Sequence, residues 1–270
     1  MCQHYILASA IEKIKNSFNI QALNLIAWES PIVVHPGSQS LIITQQNPTE
    51  LTLSDFGMTP SWVRQPMNLV NARAEGDKNP NNNPDFKGSK AIFLKPSYRK
   101  LLFHQRCIVI ADAFIAWSSG VLPQPHLFFL KEHRHPIGIA GLYDIWQDKS
   151  TGEKLHSFTI ITIAANSLVR KLPAQRMPVI LPYKFEMRWL NPGLTLMEIL
   201  RFLDKHPSKD MNAYPVSSKI NQPGPYNKEI LKPAGNVLSP EIITPPIPRQ
   251  SYYGHKHKEA NGHWLGNNPI

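Results

Sequence analysis

The chain has 270 residues, long enough for one large domain or two small ones with a full core. Charged residues make up 18% of it and 25 positions are proline, against roughly 25% charged and about 5% proline in an ordinary soluble protein. That balance excludes coiled coils and long helical bundles, and an apolar content of 42% excludes global disorder.

Lys and Arg outnumber Asp and Glu by 29 to 19, a formal charge of +10, which favours polyanionic partners through phosphate neutralisation and counterion release. In chain order, Tyr5 to Ile11 is a short apolar patch cut off at once by Glu12 and Lys13 and lacking a basic region before it, so no secretory signal is expected. Ile11, Ile14 and Phe18 have helical spacing. Short segments rich in β-formers follow and read as strands: Leu23 to Trp28, Leu41 to Thr44, Leu51 to Phe56, Cys107 to Phe114, His126 to Leu130, Ile137 to Tyr143 and Ser157 to Ala164. Asp77 to Lys90 interrupts them as a polar, Asn- and Pro-rich stretch, expected to be a mobile surface loop. Leu194, Met197, Leu200 and Leu203 again have helical spacing, with Thr195 to Glu198 resembling a capping box.

From Ser239 the composition shifts to proline, glycine and polar residues, and 239–270 is expected to be a flexible tail. Its His255, His257 and His263 are not assigned a metal. The tail holds three basic and two acidic residues, so the body keeps 26 basic against 17 acidic and a charge of +9. No apolar run approaches the roughly 18 residues of a membrane span. Two cysteines, Cys2 and Cys107, make no disulfide framework, which points to a reduced, cytoplasmic compartment. The expected fold is a single α+β domain over 1–238, mainly strands forming a twisted barrel-like sheet with flanking helices.

Chemistry concentrates at the start. Removing Met1 would leave Cys2 with a free α-amine and a thiol on adjacent carbons. Such an amine has a pKa of about 7.7–8.0 against about 10.4 for lysine, so a useful fraction is unprotonated at neutral pH. It condenses with an aldehyde to an imine, which the neighbouring thiol then closes to a thiazolidine ring. An accidental cysteine on an uninvolved N-terminus is the alternative.

Six collinear motifs bear on that choice. After Met1-Cys2 come Phe56-Gly57-Met58 with Pro60 and Trp62, Asn71-Ala72-Arg73-Ala74-Glu75, Arg106 to Phe114 with Trp117, Ala140-Gly141-Leu142-Tyr143, Arg176-Met177-Pro178-Val179-Ile180-Leu181, and Tyr214-Pro215-Val216-Ser217. In this order the chain, to about residue 232, resembles the SRAP family, the SOS response-associated peptidase-like proteins that process abasic sites in damaged DNA. The resemblance implies a monomer without cofactor or metal that binds single-stranded DNA and captures the aldehyde of a baseless deoxyribose through Cys2. It also implies autocatalytic removal of the initiator methionine, a peptidase- or lyase-like activity. By the same resemblance Asn71 and Arg73 face the sugar and phosphate, Arg176 a flanking phosphate, and Trp62 and Pro36 stack against or wedge bases. A buried structural pairing of Arg73 or Arg176 with Glu75 or Asp112 is the alternative for the arginines.

The chain departs from the family pattern where protons would move. Ala116 occupies the position of the family's acid–base glutamate, and Leu172-Pro173-Ala174-Gln175 lacks the family's histidine ahead of the Arg-Met-Pro motif. Gln3-His4 replaces the usual Gly-Arg, removing one expected phosphate contact. Three readings follow. The aminothiol reacts unaided, more slowly by the 10²–10⁴-fold typical of general acid–base help; or His4, on the same face as Cys2 if residues 2–4 are extended, moves the protons instead; or the chain is a degenerate relative that binds single-stranded DNA without a covalent bond. A Cys/His hydrolase built on Cys107 is a poor fourth, because that cysteine lies inside an apolar strand.

Overall fold

The computed structural model describes residues 3–21, 28–132, 136–222 and 224–239. In chain order its strands are β1 (Tyr5–Leu7), β2 (Ile32–Val34), β3 (Gln39–Thr44), β4 (Leu51–Phe56), β5 (Asn71–Arg73), β6 (Arg106–Ala111), β7 (Ala113–Trp117), β8 (Pro125–Leu130), β9 (Ile137–Gln147), β10 (Lys154–Ala164), β11 (Arg176–Pro178) and β12 (Met211–Pro215). Helices α1 (Ile11–Phe18), α2 (Pro96–His104) and α3 (Leu196–Phe202) lie between them.

Five strands close on themselves in the order β10-β4-β3-β6-β9, with β9 pairing β10 again to complete a barrel. Closure leaves the barrel strands without an open edge. Its interior is narrow: a Cβ added to Gly141, which faces Cys107 on one side and Ile160 on the other, would stand 2.8 Å from the Cys107 Sγ and 3.0 Å from the Thr159 carbonyl oxygen. Stacked rings of Phe56 and Phe158, 5.2 Å apart, fill the end near the β4–β10 junction. A second sheet, β12-β8-β7-β1-β2, is antiparallel throughout. The strand-dominated α+β barrel expected from the sequence is the fold observed.

The run Cys107 to Phe114 is not one strand. It breaks at Asp112, where the chain leaves the barrel for the second sheet. The Asp112 carboxylate accepts from the Ala8 and Ser9 backbone N–H groups at 2.6 and 2.8 Å and from the Ser9 hydroxyl. It thereby ties the corner to the end of β1.

Arg106, at the start of β6, is wholly buried, and among the described residues it forms no ion pair with a carboxylate. Its guanidinium donates instead to the carbonyls of Leu102, Trp189 and Asn191 at 2.6, 2.7 and 2.7 Å, and lies over the Trp189 ring. Burial pulls its pKa down to about 10.

Helix α1 forms where its spacing predicts, burying Ile14 and Phe18 and ending in a left-handed Asn19. The capping box of α3 is present, Thr195 and Glu198 satisfying each other's backbone N–H. Its inward face, however, is Leu194, Ile199 and Leu203, while Met197 is 67% exposed. Residues to Ser239 form one compact unit, and among the described residues no helix is long and apolar enough to cross a membrane. The expected tail beyond Ser239, with its three histidines, and the expected strand at 23–27 lie outside the described residues.

Candidate functional site

Strand β10 carries two partners in succession on each edge. Near its C-terminal end β5 pairs along one edge and β11 along the other, setting Arg73 opposite Thr162 and Arg176 opposite Ala164. Two guanidinium side chains are thus delivered from opposite sides of one strand.

Arg176 forms an ion pair with Glu75, Nη2 to Oε2 2.7 Å, and each side chain is only 3% exposed. Of its five N–H groups, Nε donates to the Thr162 hydroxyl, Nη2 also to the Thr162 carbonyl at 2.7 Å, and Nη1 to the Asn82 side-chain oxygen at 2.8 Å. Burial by itself would raise the Glu75 pKa. The hydrogen bond and charge of Arg176, with the Ala164 N–H at 2.9 Å, outweigh it and hold the carboxyl below its usual value. Burial lowers the Arg176 pKa, and the charge of Arg73 adds to that; Glu75 opposes both. The structural pairing weighed from the sequence is therefore present for Arg176 with Glu75, and Asp112 takes no part in it.

Arg73 forms no ion pair among the described residues. Its Nη2 donates to the Asn79 carbonyl at 2.6 Å and to the Asn82 side-chain oxygen at 2.8 Å, while its buried Nε has no partner. One amide oxygen, that of Asn82, is consequently shared by both arginines. The Asn82 Nδ2 donates to Gln175 Oε1 at 2.8 Å. Asp77 to Lys90 is thus folded against the arginine pair. Asn71, at the head of β5, has a side-chain amide whose oxygen and nitrogen are both buried without a partner among the described residues.

A second neighbourhood surrounds the start of the chain. The His4 carbonyl accepts from the Ile115 N–H, and the His4 ring meets Trp117 edge-on at 4.9 Å and His35 at 6.1 Å. Burial, and to a lesser extent the charge of His35, lower the His4 pKa to about 4, so its imidazole is neutral at physiological pH. Pro36 follows in the β2–β3 turn, half-buried. Cys2 lies outside the described residues. Ala116 is buried on β7 opposite His126, and Ala174 packs half-buried against the core; neither methyl can carry a proton.

Trp62 stands 64% exposed on the loop after β4. Among the described residues it makes no ring contact or hydrogen bond to either neighbourhood. Cys107 is wholly buried and its thiol pKa is pushed well up by that burial, the state of an inert packing residue. Asn82 and Gln175 were not singled out from the sequence. The signal for Asn82 was its place in an asparagine-rich stretch, since asparagine tolerates the left-handed backbone it adopts (φ 52°).

Barrel, second sheet and arginine pair define a strand-dominated α+β protein with a cationic cluster beside its longest strands. The sequence matches the SOS response associated peptidase (SRAP) family over residues 1–223, and the chain belongs to that family. It is 32% identical over 240 residues to the abasic site processing protein YoqW of Bacillus subtilis (strain 168), covering 86% of this chain and 99% of that one. Against the abasic site processing protein HMCES of Xenopus tropicalis identity is 28% over 186 residues, 62% of this chain and 52% of the relative. A crystal structure of a protein from Bacteroides thetaiotaomicron superposes with a TM-score of 0.75 at 28% identity, covering 86% of this chain and all of that one.

Proposed function

We propose that this chain processes abasic sites, binding single-stranded DNA and attaching to it covalently through Cys2. The observation that carries the reading is a cysteine directly after the initiator methionine in a chain of the SRAP family whose relatives are named abasic site processing proteins. Once Met1 is gone, the α-amine adds to the C1′ aldehyde and expels water, giving an imine. The thiol sulfur then adds to the imine carbon, its proton passes to nitrogen, and a thiazolidine ring closes. One water is lost overall, and no oxidant or cofactor is consumed.

The other assignments follow the same reading. Asn71 has an unpartnered buried amide, which a sugar hydroxyl would satisfy. Arg73 and Arg176 face backbone phosphates. Trp62, exposed and aromatic, stacks a base, and Pro36 wedges beside the start of the chain. His4 is the group assigned to relieve the Cys2 amine of its proton, and its lowered pKa makes it a weaker base than an ordinary histidine, so its help to the rate is modest. With Ala116 and Ala174 where the family's glutamate and histidine stand, rate suffers more than chemistry.

Protein confirmed by intact mass to lack Met1 is incubated with a single-stranded oligonucleotide bearing one abasic site. A shifted band that survives denaturant and disappears in Cys2→Ala supports the reading. Ala116 and Ala174 favour one rival, a non-covalent binding module. A salt-sensitive complex that denaturant dissolves, equal in wild type and Cys2→Ala, would establish that rival instead.

A further inference from the structure

Two guanidinium groups converge on a single uncharged oxygen. Glu75 balances only Arg176, so the Arg73–Arg176–Glu75 group keeps one net positive charge. What the pair holds is the amide oxygen of Asn82, which carries only a partial negative charge. A guanidinium bond to an amide oxygen is charge-assisted from one side only, whereas an ionised phosphate oxygen adds the second charge. The arginines therefore grip a weaker acceptor than their geometry suits, and the Arg73 Nε, buried and unpartnered, has nothing to bond at all.

Asn79, 2% exposed and accepting from Arg73 Nη2 at 2.6 Å through its carbonyl, anchors the start of the segment, but beyond it the part that delivers Asn82 is held by contacts that release readily. Asn82 sits on a left-handed turn and is steadied by the exposed Gln175. Further along, Lys205 reaches the Pro84 carbonyl and Lys90 pairs with Asp204 at 3.0 Å, both at the surface. Lys95 pairs with Asp77 at the other end, also exposed. Surface ion pairs of this kind contribute about 0–1 kcal/mol each.

We infer that Arg73 and Arg176 form an anion site which Asn82 keeps closed, its amide oxygen occupying the place of a phosphate oxygen, so that a DNA backbone phosphate binds by displacing Asn82 and lifting the segment beyond Asn79, from Pro80 to Lys90. The inference rests on the DNA-binding reading above, and goes beyond it by making that segment a gate. Both arginines then trade a neutral acceptor for a charged one, and Arg73 Nε gains a partner.

The test uses the full chain and an undamaged single-stranded oligonucleotide, which has no aldehyde and reports binding alone. Asn82→Gly removes the amide while accepting the left-handed backbone; Asn82→Asp keeps the shape but makes the occupant a true anion. Fluorescence anisotropy at low salt should show Asn82→Gly binding about five- to tenfold tighter than wild type and Asn82→Asp about tenfold weaker, a tenfold change being about 1.4 kcal/mol. Arg73→Gln in the Asn82→Gly background should erase the gain. Equal or weaker binding by Asn82→Gly, with its thermal midpoint unchanged, overturns the gate. If that midpoint falls, Asn82→Asp decides: binding no weaker than wild type overturns the inference. Denaturant-resistant crosslinking on an abasic oligonucleotide is scored separately. Its absence in every variant, alongside tighter binding by Asn82→Gly, would sink the covalent reading and leave the gate standing. Normal crosslinking with no effect of either substitution on affinity would do the reverse.

Discussion

Replacing Glu75 by alanine is the sharpest probe of the arginine cluster. Its carboxylate is 3% exposed, lies 2.7 Å from Arg176 Nη2 and accepts the Ala164 N–H at 2.9 Å. Truncation strands a buried guanidinium without its counter-charge and leaves a buried backbone donor unpaired. Removing one partner of a buried pair costs about 3–5 kcal/mol, and the unpaired N–H falls within that range. A domain of this size is stable by about 5–15 kcal/mol, so the variant should fold with a much lower urea midpoint, read by tryptophan fluorescence. Glu75→Leu combined with Arg176→Met should recover most of that loss, because apolar residues of similar volume replace buried pairs at little cost, leaving about 1–3 kcal/mol for the Ala164 N–H that stays unpaired. The carboxyl pKa is depressed in the folded state, so its stabilisation is complete above the unfolded value near 4.3 and disappears as pH falls through the folded one. The double variant should therefore show a shallower acid limb. A loss under about 1 kcal/mol in Glu75→Ala, or a double variant as unstable as the single, would refute the reasoning.

Gly141→Ala drives a methyl onto the Cys107 sulfur and the Thr159 carbonyl, and overpacking of this kind costs about 1–3 kcal/mol in urea unfolding. Trp62→Ala should leave the unfolding midpoint unchanged, since the ring is exposed. It should weaken single-stranded DNA binding by about 1–3 kcal/mol, the worth of one base stack, in an anisotropy titration. His4 titrates near 4 when folded and near 6.5 when unfolded, so the unfolded chain takes up its proton first and stability falls as pH drops from about 6.5 through 4. His4→Gln should flatten that part of a urea-midpoint profile against pH.

Long strands were legible because six or more residues rich in β-formers stand out between turn residues: Leu51 to Phe56 is β4 without adjustment, and Ser157 to Ala164 falls inside β10. The three-residue strands β1, β2, β5 and β11 were not, since three residues show no periodicity and exist as strands only through their longer partners. The break at Asp112 was hidden for a related reason. Residues on both sides are buried, and only the Ala8 and Ser9 donors, 103 or 104 positions away in the chain, reveal a corner. Met197 shows the limit of spacing, which marks a stripe without saying where the body lies. At the site, the family resemblance pairs Arg73 with Arg176, whereas Asn82 needed the tertiary structure, because nothing local distinguishes it from its neighbours Asn81 and Asn83.

Four of the five junctions around the barrel are antiparallel; the fifth, β4 against β10, is parallel and spans only Asp55–Phe56 against Ser157–Phe158. Such a short zipper, extended by the Gly57 N–H to the Phe158 carbonyl, relies on its two stacked rings to stay shut. When the molecule breathes, the cylinder should unroll there first, and the Gly57 amide should trade its hydrogen for deuterium well before that of Ile108 on the far wall.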